Sequence, residues 1–189
     1  FAKLISHYVE KDTLVQQLQA ANVALELHSS TDELTQLPNR RALFKQLALR
    51  FASARAQQQQ VSLIFIDLDG FKAINDRFGH PCGDSFLVQV GERLTAVARR
   101  EDIVGRLGGD EFAALIRRNG NTQSYLHALS ASLDHYNDTS GKPYNINYSF
   151  GELINNADHY TTLAEMIGKC DEVMYLKKKR KTLSRKTEP

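Results

Sequence analysis

The chain has 189 residues, 42% of them hydrophobic, which is enough for one cored domain and an appendage. No apolar run reaches membrane-spanning length, nothing resembles a signal peptide, and the two cysteines and six histidines show neither disulfide nor metal-ligand spacing. A reducing, cytoplasmic compartment is therefore expected. The net charge of +2 hides an asymmetry: residues 177–186 hold 7 of the 24 basic residues, and without residues 177–189 the balance is 17 basic against 21 acidic. Such a terminal cluster attracts phosphate. No aromatic residues interleave with it, so nucleic acid is not expected as a partner. The first residue is Phe1 rather than Met, so we expect a piece of a longer protein, anchored to a membrane, if at all, through a region that is missing here.

Residues 1–30 read as one helix without Gly or Pro. Leu4, Leu14, Leu18, Ala21 and Leu25 fall on a and d positions of a heptad frame that His7, Lys11 and His28 interrupt. This is the pattern of a weakly pairing stalk, or of a helix packed on its own domain. Ser29-Ser30-Thr31-Asp32 ends it. Pro38 then fixes a turn, and Asn39 caps a helix expected to run to about Gln57.

Val61-Ser62-Leu63-Ile64-Phe65-Ile66 has the composition of a strand buried on both faces, and it ends in Asp67-Leu68-Asp69-Gly70. Metals and ligands usually sit at the carboxyl ends of such strands; an N-cap is the alternative for Asp69. Phe71 to Asp76 continues as helix, and Phe78-Gly79-His80-Pro81-Cys82-Gly83-Asp84 breaks it and starts another. Asn75 offers a donor and an acceptor, and Asp84 accepts two donors. Together they match the Watson–Crick edge of guanine, with helix capping as the other reading of each.

Two short apolar runs, Ile103 to Leu107 and Phe112 to Ile116, flank Gly108-Gly109-Asp110-Glu111. This reads as a hairpin whose turn needs positive φ and lies close enough for a phosphate to reach its backbone. Two carboxylates beside a phosphate-sized gap suit Mg²⁺; an acidic turn on a solvated hairpin is the alternative. Further on, a helix is expected from Thr122 to about Asp138, a strand from Tyr144 to Gly151 and a last helix from Leu163 to Lys179. The order β-α-α-β-β-α-β-α predicts an α/β (α+β) fold with a mixed central sheet flanked by helices.

With these pieces in view, the chain resembles the GGDEF-domain family of diguanylate cyclases over residues 32 to about 182. The resemblance rests on five segments in the family's order: Asp32 to Arg40, Asp67 to Asp76, Phe78 to Asp84, Gly108-Gly109-Asp110-Glu111-Phe112, and Asp171-Glu172-Val173-Met174-Tyr175. It implies a fold like the palm of nucleotide cyclases and polymerases, and condensation of two GTP into cyclic di-GMP and pyrophosphate. It also implies two Mg²⁺ per active site (Mn²⁺ as a substitute), held by Asp67, Asp110, Glu111 and the Leu68 carbonyl. Glu111 is alternatively the group that helps deprotonate the attacking hydroxyl, beside the Gly108-Gly109 turn.

The same resemblance implies GTP binding by the Phe71 and Lys72 backbone, Asn75, Asp84 and Lys178. Product inhibition by cyclic di-GMP is implied at Arg99 and Asp102, whose Arg-x-x-Asp spacing lies five residues before the glycines; a charged helix end is the plainer alternative. A homodimer is implied for activity. One departure stands out: the family's last helix carries an Arg four residues after the Lys, and here that position is Thr182, so Lys179, Arg180, Lys181 or Arg185 would have to substitute. The competing expectation is a degenerate module that binds GTP or cyclic di-GMP without turnover. The expected domains are a stalk at 1–30, a catalytic domain at 31–182 and a basic tail at 183–189.

Overall fold

The computed structural model describes residues 30–117, 122–155 and 162–187, with side chains to 181, and isolated helical positions at 11, 13, 15 and 16. The chain divides into two compact units, Phe1–Ser30 and Thr31–Pro189. The expected stalk, Thr182's side chain and the tail beyond it lie outside the described residues, apart from the helical backbone that continues to Thr187.

The second unit runs α1 (Arg40–Ala56), β1 (Val61–Leu68), α2 (Phe71–Phe78), α3 (His80–Val97), β2 (Ile103–Gly108), β3 (Glu111–Ile116), α4 (Thr122–Thr139), β4 (Tyr148–Asn155) and α5 (Leu163–Thr187). Asn39 caps α1 by accepting the Ala42 N–H at 3.0 Å. Leu43, Leu47 and Phe51, four residues apart, form its buried stripe.

The sheet order is β2-β3-β1-β4, so β1 lies inside the sheet, and all eight of its residues are buried. Alternation along β1 splits the core. Ile64, Ile66 and Leu68 pack with residues of α3 and α4 on one face. Leu63 and Phe65 pack on the other with Leu43 and Leu47 of α1 and Met166, Cys170 and Met174 of α5. The helices thus cover both faces, as the α/β class requires. The sheet, expected to be mixed, is antiparallel in every described pairing, because both neighbours of β1 run against it.

α5 approaches β4 closely over Gly151, where a Cβ would stand 2.4 Å from the Cys170 carbonyl oxygen. That contact brings the lysines of α5 down to the end of β1. The last helix continues past Lys179 to Thr187. The last strand begins at Tyr148, not Tyr144. Tyr144 and Ile146 are buried, which explains the alternation. But the backbone of Ile146 is held by a side chain instead of a strand: its N–H donates to Asn137 Oδ1 at 2.7 Å, and its carbonyl accepts from Nδ2 at 3.0 Å.

Candidate active site

The site is built around the carboxyl end of β1. Strand pairing sets Asp67 opposite Glu111. Asp67 follows Phe65 and Leu63 in the two-residue alternation, so its side chain lies on the face that α1 and α5 cover. There the Lys178 ammonium donates to Asp67 Oδ1 at 2.5 Å. One turn further along α5, Lys181 donates to the Asp69 carboxylate and, at 3.0 Å, to the Tyr148 carbonyl. Asp69 also accepts from Ser149 Oγ at 2.7 Å. Asp69 is therefore not the N-cap of α2; that position is Gly70, which offers no side-chain cap.

Burial pushes the Asp67 carboxyl above the usual carboxylate range. The Lys178 hydrogen bond and charge pull it down, the charges of Asp110 and Asp69 push it up, and the balance stays upward. Glu111 is raised by burial and then by the charges of Asp67, Asp110 and Asp171. Burial alone would lower Lys178, but the bond to Asp67 and the charges of Asp67, Asp110 and Asp69 outweigh it, so its proton is held more tightly than usual. Even with a lysine in place, the carboxylates remain crowded. A cation placed among them relieves that crowding.

The turn that carries Asp110 needs its glycines for backbone reasons. Gly108 has φ +139° and Gly109 φ +53°, and nothing would crowd a Cβ at either. The Leu68 N–H donates to the Asp110 carbonyl at 3.2 Å, which ties the turn to β1. Arg106 locks the turn from the other side. Its Nε and Nη2 donate to the Gly109 carbonyl at 3.1 and 2.7 Å, and its Nη1 donates to both oxygens of Asp32 at 2.9 and 3.1 Å. Asp32 Oδ1 also accepts from the Thr35 N–H at 2.8 Å and the Thr35 hydroxyl at 2.7 Å. Burial alone would raise Asp32, but the bonds from Thr35 and the Arg106 guanidinium hold it below its ordinary value.

The other expected residues fall into two places. Phe71 and Lys72 open α2 next to Asp69, while Asn75 faces α3 and Asp84 is exposed on α3. Asn75 lies inside α2 and Asp84 inside α3, so neither caps a helix. Arg99 and Asp102 lie apart from the carboxylates, at the end of α3, on a cavity of about 730 Å³ that Thr35, Leu37 and Glu92 also line. Arg99 is exposed. Asp102 shapes the turn beneath it, accepting the Arg99 N–H at 2.9 Å and the Arg117 N–H at 3.1 Å. Among the described residues, no group of three or more His, Cys, Asp or Glu side chains is arranged to hold a metal ion.

Residues 29–183 match the family described as diguanylate cyclase, GGDEF domain. The chain belongs to this family. Over 121 residues, 64% of this chain, it is 53% identical to diguanylate cyclase DgcP of Escherichia coli (strain K12). It spans only 36% of that relative's length. The GGDEF domain of TpbB (YfiN) from Pseudomonas aeruginosa superposes with a TM-score of 0.71 at 32% identity, covering 79% of this chain and 89% of that one. The GGDEF domain of DgcB from Caulobacter crescentus, in complex with c-di-GMP, superposes at 0.70 with 25% identity, covering 80% of this chain and 91% of that one.

Sequence reasoning missed Asp32 and Arg106 as a structural pair, because 74 residues separate them. It also missed Ser149, an ordinary polar residue in a strand. Lys181 stood only as one of several substitutes for the missing arginine.

Proposed function

We propose that this GGDEF domain is a diguanylate cyclase, joining two GTP molecules into cyclic di-GMP. The observation that carries this reading is the pair Asp67 and Glu111, opposed across two strands, both with raised pKa, with Lys178 of α5 bonded to Asp67. Crowded, desolvated carboxylates next to ammonium groups suit a ligand that brings both a divalent cation and phosphates. The fit does not require a cluster of three protein ligands, since Mg²⁺ takes few carboxylates and fills its remaining positions with phosphate oxygens and water.

Asp67, Asp110 and Glu111, with the Leu68 carbonyl, would hold two such ions. Bound there, they would neutralise charge on the α-phosphate and the leaving pyrophosphate. The α2 N-terminus at Phe71 and Lys72, which has no side-chain cap, would donate backbone N–H groups to terminal phosphate oxygens. Lys178, released from Asp67 when a cation takes that carboxylate, would turn to the same phosphates, and Lys181, one turn further along α5, would join it in the role of the arginine absent at Thr182. Asn75 and Asp84 would read guanine. Glu111, where it does not serve as a further metal ligand, would help deprotonate the attacking 3′-hydroxyl.

Each attack forms one 3′–5′ phosphodiester bond, breaks one bond between the α- and β-phosphates and releases one pyrophosphate. Two attacks close the ring. One chain carries the groups for one nucleotide, so two copies are required, with their Gly108-Gly109 turns facing each other. Product would bind in the cavity at Arg99 and Asp102 and inhibit.

The test is incubation with GTP and Mg²⁺ at rising protein concentration, with nucleotides separated by anion exchange. We expect cyclic di-GMP, two pyrophosphates per product, and specific activity that increases with concentration. GTP recovered unchanged at every concentration would refute the cyclase and favour a receptor.

A further inference from the structure

α3 carries a glycine that no turn requires. Gly83 is buried in its second turn with ordinary helical backbone, where glycine costs about 1 kcal/mol relative to alanine. The reason lies across the helix pair. A Cβ on Gly83 would stand 1.9 Å from Asn75 Oδ1, 2.9 Å from its Cγ and 3.3 Å from its Nδ2, and these are the three nearest heavy atoms. No exchange of the amide's O and N removes the clash. Asn75 Oδ1 is itself buried and has no hydrogen-bond partner among the described residues. Buried polar atoms are normally paired, so the fold leaves this amide a hydrogen bond still to make.

We propose that Gly83 is the positioning residue that sets the Asn75 amide for base recognition. The inference rests on the assignment of Asn75 to guanine. Gly83 makes no contact with the base itself; its missing side chain leaves the carboxamide the room it occupies between the two helices. A side chain at 83 displaces the amide, because the clash falls on the end of the Asn75 side chain and not on backbone. The site then loses one of its two guanine-reading side chains and keeps everything that holds the triphosphate.

The experiment is calorimetric titration with Mg²⁺ and 3′-deoxy-GTP, 3′-deoxy-ATP or tripolyphosphate, of which the nucleotides lack the attacking hydroxyl and do not turn over. The proteins are the wild type, Asn75→Ala, Gly83→Ala and the double variant. One lost hydrogen-bonding partner corresponds to about a tenfold change in affinity. Gly83→Ala is expected to bind 3′-deoxy-GTP about tenfold more weakly, with 3′-deoxy-ATP and tripolyphosphate unchanged, and the double variant is expected to be no weaker than Asn75→Ala. A merely structural defect would weaken all three ligands alike.

If Asn75→Ala loses guanine preference while Gly83→Ala keeps it, or if the two losses multiply, the positioning role is overturned. If Asn75→Ala keeps its preference, the guanine assignment falls and the inference with it. Should Gly83→Ala fold poorly, the double variant is expected to fold like Asn75→Ala, because the clash is with the Asn75 amide. A double variant that still folds poorly overturns the proposal.

Discussion

Replacing Arg106 with alanine tests the device that holds the Gly-Gly turn. The guanidinium makes four hydrogen bonds, two to the Asp32 carboxylate and two to the Gly109 carbonyl. The side chains are 10% exposed for Arg106 and 23% for Asp32, so the pair is mostly but not wholly withdrawn from water. Breaking a fully buried pair costs about 3–5 kcal/mol; discounted for the exposure of Asp32, the loss is about 2–3 kcal/mol. At about 2–4 °C per kcal/mol for a domain of this size, Tm should fall by about 4–12 °C.

The pH dependence carries a second signature. Asp32 is lowered in the folded state, so the pair contributes stability above the unfolded carboxylate pKa of about 3.9, and that contribution is lost as pH falls through the lower folded value. The difference between wild type and Arg106→Ala should therefore be largest at neutral pH and shrink below about pH 4. Scanning calorimetry across pH measures both. Asp32→Ala and the double variant complete a cycle in which the second substitution costs less once the first is made, the remainder being the Arg106 bonds to Gly109 or the Thr35 bonds to Asp32. A Tm within about 1 °C of wild type at neutral pH, or a Tm difference independent of pH, would refute the argument.

Asp110→Asn should lower cyclic di-GMP formation by at least about 10²-fold, measured as initial rate. Asp67→Asn should do the same without loss of Tm, since it removes a crowded carboxylate yet leaves Lys178 an oxygen acceptor; a marked fall in Tm would contradict the electrostatic account. Lys181→Ala should weaken tripolyphosphate binding by about tenfold in calorimetry, as expected for a lost charged hydrogen bond; unchanged affinity would leave Lys181 a purely structural partner of Asp69. Arg99→Ala should keep full initial rates yet resist added cyclic di-GMP, and inhibition equal to wild type would remove the inhibitory site from the cavity at the end of α3.

Much of this protein was legible in one dimension, where the physics is local. Val61 to Ile66 read as a central strand because all but Ser62 are apolar and β-branched, aromatic or leucine, and the strand runs on to Leu68. Asn39 read as a cap because capping needs only its own helix. The Gly108-Gly109 turn read as positive φ because glycine alone tolerates it readily. The carboxylates at the end of β1 and on the hairpin announced themselves by residue type and position. What local pattern left open, beyond the set of site residues that the family resemblance implied, was which distant segments meet. Alternation at Tyr144 and Ile146 looked like a strand, but Asn137 supplied the backbone's partner. Lys181 emerged from a row of basic residues only when the rotation of α5, set by its packing over Gly151, aimed it at Asp69. Arg106 met Asp32 across 74 residues, and Gly83 met Asn75 across two helices. Hydrogen-bond partners and steric room are properties of pairs in space, and no local pattern encodes them.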